Sequence, residues 1–155
     1  MPIRTAVVPL DAIFDLRWSV LRPGLPAETA RFAEDAWEGA FHVAAHGAAG
    51  SAEDAVLGCG SFYPEPFPGP GGPPGPAYRI RGMASAAAAR GRGYGAAVLA
   101  AGTAEARRRG ARALWCNGRT GARGFYEHHG YRTYGEEFTI EGVGPHYVFA
   151  RELLD

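Results

Sequence analysis

The sequence predicts an α/β domain, and three observations lead there. Apolar residues change period along the chain, alternating in some stretches and spaced by 3.6 residues in others. The second half reads strand, helix, strand, helix, strand, strand, with each helix closed by a glycine. Gly and Pro are abundant, 23 and 12 of 155 residues, yet 46% of the chain is hydrophobic and 12% aromatic, enough to build a core. The 16 basic and 16 acidic residues cancel, so the net charge that accompanies disorder is missing. The length suits one domain over residues 1–155.

Thr5-Ala-Val-Val-Pro9 reads as a short edge strand ended by proline. Asp11 is placed to cap a helix through Ile13, Phe14, Leu16, Arg17, Val20 and Leu21, which Pro23 and Gly24 end. A second short helix opens at Pro26 and carries Phe32 and Trp37. Phe41 to Ala45 and Ala55 to Phe62 read as a strand pair joined through His46 to Asp54. Pro64 to Pro76 then packs seven prolines and four glycines into 13 residues. No ladder or helix survives that density, so a polyproline-like surface loop is expected.

Tyr78 to Met83 alternates as a strand, and small residues fill Ala84 to Ala89. An Ala-rich helix follows from Tyr94 to Arg109, with Gly110 as its stop and three arginines in the last turn to complement the macrodipole. Ala113 to Asn117 is a strand, and Ala122 to His129 a short helix closed by Gly130. Tyr131 to Ile140 and His146 to Leu153 are the last two strands, joined at Glu141-Gly-Val-Gly-Pro145.

Zero net charge gives no electrostatic reason to expect nucleic acid or a membrane surface as a partner. Every basic residue is Arg, so no lysine is available for a Schiff base or a P-loop. Cys59 and Cys116 form no CxxC pair, and no histidine pair has metal-ligand spacing, so no metal is expected. His42 and His46 read as structural or surface residues, and His128-His129 as a solvent-facing helix end. Met1 to Thr5 lacks a signal-peptide core and no apolar run approaches the length of a span, which makes the cytoplasm the default location.

Chemistry concentrates at Arg90-Gly91-Arg92-Gly93-Tyr94-Gly95-Ala96, between a strand and a helix. Glycines there let several N–H groups turn into one concavity, and the helix dipole adds positive charge. Such a site suits a pyrophosphate, with Arg90 and Arg92 able to pair with further oxygens. A Gly-rich turn with arginines in solvent accounts for the same residues. The P-loop lysine is absent, and Gly91, Gly93 and Gly95 miss the Rossmann spacing.

Arg90-x-x-Gly93-x-Gly95 does fit (Gln/Arg)-x-x-Gly-x-(Gly/Ala), and at this point the chain resembles the GCN5-related N-acetyltransferase (GNAT) family. Met83-Ala84 leads in with the family's register, although Ser85 replaces the usual hydrophobic residue and Ala87 the usual proline. Phe125-Tyr-Glu-His-His-Gly-Tyr131 is similar to the family's F-Y-E-x-x-G-F/Y signature, with Ala122 at the small position before it. Arg119 stands where the family often has Asn, and Asn117 lies nearby on the preceding strand. The resemblance covers Ala77 to Leu154; the N-terminal half shares only the element order.

The resemblance implies a single mixed, mostly antiparallel sheet of six to seven strands with helices on both faces, splayed between the strands at 78–85 and 113–117. It implies acetyl-CoA as co-substrate, held by Met83, Ala84 and Ser85 at the strand end, by Arg90, Gly91, Arg92, Gly93, Tyr94, Gly95 and Ala96 in the loop, and by Asn117. Tyr126 takes the position of the general acid to the departing CoA thiolate, though a core aromatic would also fit. The base for the amine is left between Glu137 and His146, with Glu136 beside them, and each is also accounted for as a solvated strand residue. Arg119 and Arg123 are either solvent residues or CoA phosphate contacts. Arg17, Trp18 and Arg22 are candidates for the acceptor side. The acceptor is an unidentified amine of a small molecule or peptide, and a homodimer through exposed edge strands is in keeping with the family. A non-catalytic acyl-CoA-binding regulatory module is the alternative.

Overall fold

The computed structural model describes residues 3–47 and 55–153, so most of the connection expected at 46–54 lies outside the described residues. Strands Arg4–Val8 (β1), Phe41–His46 (β2), Val56–Pro64 (β3), Ala77–Ser85 (β4), Ala113–Arg119 (β5), Arg132–Ile140 (β6) and Gly144–Glu152 (β7) form one sheet in the order β1-β2-β3-β4-β5-β7-β6. β4 and β5 pair in parallel, whereas β1–β2, β2–β3, β5–β7 and β6–β7 are antiparallel. This is the mixed, mostly antiparallel sheet that the family resemblance implies. The chain divides into two compact units, residues 1–63 with 80–105, and residues 64–79 with 106–155.

In the first unit, the helix Leu10–Leu21 (α1) starts one residue after Pro9, whose φ of −65° suits a helix entry. Asp11 therefore lies in the first turn and does not cap it, a correction to the sequence reading; there it still complements the dipole. Ile13 packs with Ala44, Cys59 and Ala84 in a dry cluster that Leu16 and Val20 flank. The second short helix expected from Pro26 is instead two 3-10 turns, Ala27–Ala30 and Ala33–Ala36. Ala30 and Phe32 are buried with Arg31 exposed between them, a period of two that holds the chain extended at Phe32 against its helical composition.

Arg17, on the apolar stripe of α1, is fully buried. Its Nη1 donates to Asp35 Oδ2 at 2.8 Å and to the Ala30 carbonyl at 3.0 Å, and its Nη2 donates to Asp35 Oδ1 at 3.1 Å and Ser61 Oγ at 2.6 Å. The Tyr63 hydroxyl donates to Asp35 Oδ1 at 2.6 Å. Both 3-10 turns are thereby tied to α1 and β3. The helix Tyr94–Arg108 (α2) ends at Gly110, whose φ of +96° makes the left-handed stop the sequence predicts.

In the second unit, residues 65–76 contain neither helix nor strand, as the proline density requires. The loop is pinned at both ends, where the Glu65 N–H donates to the Ala77 carbonyl and the Arg112 N–H to the Pro76 carbonyl. Ala77, Ala113, Trp115 and Ala150 form the core of one sheet face, covered by Phe67, Tyr134 and Val148. A 3-10 turn, Thr120–Ala122, leads into the short helix Arg123–His128 (α3). The β6–β7 register shifts between Tyr134 and Phe138, which interrupts β6 at Gly135, Glu136 and Glu137.

Candidate active site

The predicted phosphate loop lies wholly in the first unit. A single 3-10 turn, Ala87–Ala89, ends β4, and the chain then reverses through Gly91 and Gly93 at φ of +78° and +91°. Side chains strain such conformations, so glycine is required at both positions by backbone geometry. Nothing lies within 4 Å of a Cβ placed at Gly91, so it is backbone conformation and not crowding that calls for glycine there. Residues 90–93 are exposed. The first N–H groups of α2 have no acceptor inside the helix, and they follow directly at Tyr94, Gly95 and Ala96. Tyr94 is itself anchored, since its Cβ lies 3.0 Å from where a Cβ on Gly58 would stand.

The Met83 side chain is turned onto the sheet. Its sulfur lies 2.7 Å from the position of a Cβ on Gly60, so the thioether is packed over β3. Ala84 is buried and Ser85 half-buried. The β5 ladder engages β4 at Ala77, Tyr78 and Arg79, and the Ile80–Ser85 stretch extends past those three rungs.

Tyr126 belongs to the second unit. It is 8% exposed, stacked on Phe149 at 4.7 Å between centroids and edge-on to Tyr131 at 5.5 Å. Gly118 makes that stack feasible, because a Cβ there would stand 2.7 Å from Phe149 and 2.8 Å from Tyr126. The phenol shares a hydrogen bond with the buried thiol of Cys116. Burial, with the Cys116 thiol as second cause, pushes the phenol well above its ordinary pKa. Burial also lifts the Cys116 thiol to about 12, so it is no nucleophile. Burial thus keeps the phenol neutral, with its proton in place.

The candidate bases differ in setting. Glu136 and Glu137 are exposed, and they lie in the β6 interruption, where strand alternation no longer assigns their faces. Glu137 Oε2 accepts from Thr120 Oγ1 at 2.7 Å. His146 is buried, opposite Arg119 on β5 and Phe138 on β6. Its Nδ1 lies 2.8 Å from the Gly144 carbonyl oxygen. A carbonyl only accepts, so Nδ1 carries the hydrogen and Nε2 is left with the basic lone pair of the neutral ring.

Asn117 is half-buried on β5, opposite Val148. Arg119 is exposed, and Arg123 donates to Glu127 at 3.2 Å with its guanidinium 5.3 Å from the Tyr147 ring centroid. Of the three acceptor-side candidates on and just after α1, Arg17 faces the core and Trp18 donates its indole N–H to the Leu25 carbonyl. Arg22 donates to the Leu21 carbonyl. Sequence reasoning missed the Arg17–Asp35 pair. Its one signal was an arginine four residues after Ile13, on the helix's apolar face. The Tyr126–Cys116 contact was missed as well, and no local pattern announces it. Among the described residues no group of three or more His, Cys, Asp or Glu is placed to hold a metal ion, and no helix is long and apolar enough to cross a membrane.

Comparison with known proteins agrees with this fold. The chain is 28% identical over 151 residues to the uncharacterised N-acetyltransferase YitI of Bacillus subtilis (strain 168), covering 97% of each protein. A GCN5-related N-acetyltransferase from Kribbella flavida superposes with a TM-score of 0.69 at 27% identity, over 97% of this chain and 98% of that one. An acyl-CoA N-acyltransferase from Pseudomonas aeruginosa shares the fold, with a TM-score of 0.72 at 18% identity over 97% and 99% of the two chains. The sequence model described as the Acetyltransferase (GNAT) family matches residues 10–131. The chain therefore belongs to the GNAT family and is an acyl-CoA-dependent N-acetyltransferase.

Proposed function

We propose that the protein transfers the acetyl group of acetyl-CoA directly to a primary amine of a small molecule or peptide. The observation that carries this reading is the pair of left-handed glycines, Gly91 and Gly93, set before the N-terminus of α2. An exposed turn of this shape, followed by free helix N–H groups, matches the demands of a pyrophosphate. The exposed Arg90 and Arg92 would add charge-assisted bonds, and the main chain of Met83, Ala84 and Ser85 would hold the pantetheine arm. Acetyl-CoA supplies the activated acyl group.

In this reading His146 Nε2, or the Glu137 carboxylate, takes a proton from the acceptor ammonium. The amine nitrogen then bonds to the acyl carbon and the carbon–sulfur bond breaks. Tyr126 protonates the departing sulfur; its raised pKa keeps the phenol protonated until that step, while making it a weaker acid. A second reading, in which Tyr126 only fills the core, is favoured by its stack on Phe149.

Thiol release from acetyl-CoA over a panel of primary amines tests the activity, and calorimetric titration with acetyl-CoA tests the loop. Amine-dependent thiol release and saturable binding are expected. Binding without release for any amine would contradict the transfer reading, and absence of binding would contradict both.

A further inference from the structure

We infer that Arg79 recognises a carboxylate on the amine acceptor, and that Glu65 is the resident carboxylate the acceptor displaces. The inference rests on the acetyl-transfer reading above and lies entirely within the second unit.

Arg79 occupies the last rung of the β4–β5 ladder, opposite Trp115, with its guanidinium carbon 5.1 Å from the Trp115 ring centroid. A guanidinium carries five N–H donors in a planar fork, and saturated arginine–carboxylate pairs make short, two-pronged contacts. Arg17 makes such a two-pronged contact, gripping Asp35 at 2.8 Å and 3.1 Å, although its own Nε is also buried without a hydrogen-bond partner. Arg79 makes no such contact. Its Nη1 reaches one oxygen of Glu65 at 3.4 Å, and its Nε is buried with no hydrogen-bond partner. A buried donor left unmade is costly, and at Arg79, unlike Arg17, the carboxylate contact is also single and long, which leaves the fork able to take a second carboxylate.

Glu65 is held near Arg79 by its main chain. The Trp115 indole N–H donates to the Glu65 carbonyl at 2.9 Å, and the Glu65 N–H donates to the Ala77 carbonyl at 3.2 Å. Its carboxylate is thus placed by the pinned start of the Pro/Gly-rich loop and not by strong bonding to the arginine. Both side chains reach solvent, at 18% and 26% exposure, so an incoming group can compete. Phe67 and Tyr134, with ring centroids 5.1 Å apart and both half-buried, supply an apolar wall on the same face. An amine bearing a carboxylate, such as a free amino acid, would offer Nε and Nη two oxygens where Glu65 offers one.

The test is calorimetric titration of the full chain, with and without CoA, using phenylalanine against phenethylamine, which lacks the carboxylate. The expected result is a preference for phenylalanine on the order of tenfold. Arg79→Gln abolishes it, while Glu65→Gln enlarges it by removing the competitor. Opposite effects from the two halves of one ion pair are not what a structural pair produces. Glu65→Gln leaves Arg79 in place and keeps the test decisive should Arg79→Gln fail to fold. Equal affinities, no carboxylate binding, or weaker phenylalanine binding in Glu65→Gln would overturn the inference. Acetyl-CoA binding and thiol release with phenethylamine, measured on the same samples, report separately on the transfer reading.

Discussion

Arg17 Nη1 lies 2.8 Å from Asp35 Oδ2, with the two side chains 0% and 8% exposed. Burial, the largest single influence, would push both groups toward their neutral forms, but the mutual hydrogen bond together with Tyr63, the Phe32 N–H and the charges outweighs it: Arg17 is held above its ordinary pKa and Asp35 below. Removing one partner strands the other. Asp35→Ala should therefore destabilise the protein by about 3–5 kcal/mol, the cost of breaking a buried pair. Urea denaturation checks this, and a loss within the range of ordinary surface substitutions would refute it.

The same cluster makes stability depend on pH. His42 Nδ1 is 2.7 Å from Ser61 Oγ, which Arg17 also contacts, and Tyr63 and Asp35 complete its surroundings. Burial, opposed by Asp35 and reinforced by Arg17, depresses the His42 pKa. Between that depressed value and the ordinary one of about 6.5, the unfolded chain binds a proton that the folded chain refuses. Stability should thus fall as pH drops below about 6.5. Asp35, also depressed, adds a second loss at lower pH, as acid protonates it through its folded value. In His42→Asn the first of these slopes should flatten, whatever the offset in stability, when denaturation is followed from about pH 7 to pH 5.

A left-handed residue other than glycine costs about 1–2 kcal/mol. Gly93→Ala, at φ +91°, should lose about that much stability and weaken acetyl-CoA binding more than the fold requires, because the turn aims the N–H groups of the next residues. Calorimetry with acetyl-CoA beside urea denaturation separates the two effects. Unaltered affinity would remove the loop from the cofactor site.

Legibility in the sequence followed the range of the interactions. The α2 helix, its Gly110 stop and the Gly91–Gly93 turn are encoded within a few residues of one another, so the strand–loop–helix unit could be read directly. Residues 27–36 are rich in Ala and Glu and favour a helix locally, yet Phe32 goes inside beside Arg17 and Arg81, and tertiary burial overrides propensity. Asp11 lost its capping role because Pro9 already fixed the entry. In the candidate site, a local motif points to Tyr126. Its sulfur partner Cys116, ten residues away on another element, had no local mark, and the face that Glu137 presents was hidden by an irregularity in β6.

The central claim, that Tyr126 is the proton donor, is tested most directly by Tyr126→Phe. The substitution keeps the ring that stacks on Phe149 and deletes only the hydroxyl that meets Cys116. General acid catalysis is worth about 10²–10⁴ in rate. Turnover at saturating amine and acetyl-CoA should fall on the order of 10²-fold or more, with acetyl-CoA affinity nearly unchanged. Turnover equal to that of the unaltered protein would contradict the assignment and leave Tyr126 as a core aromatic.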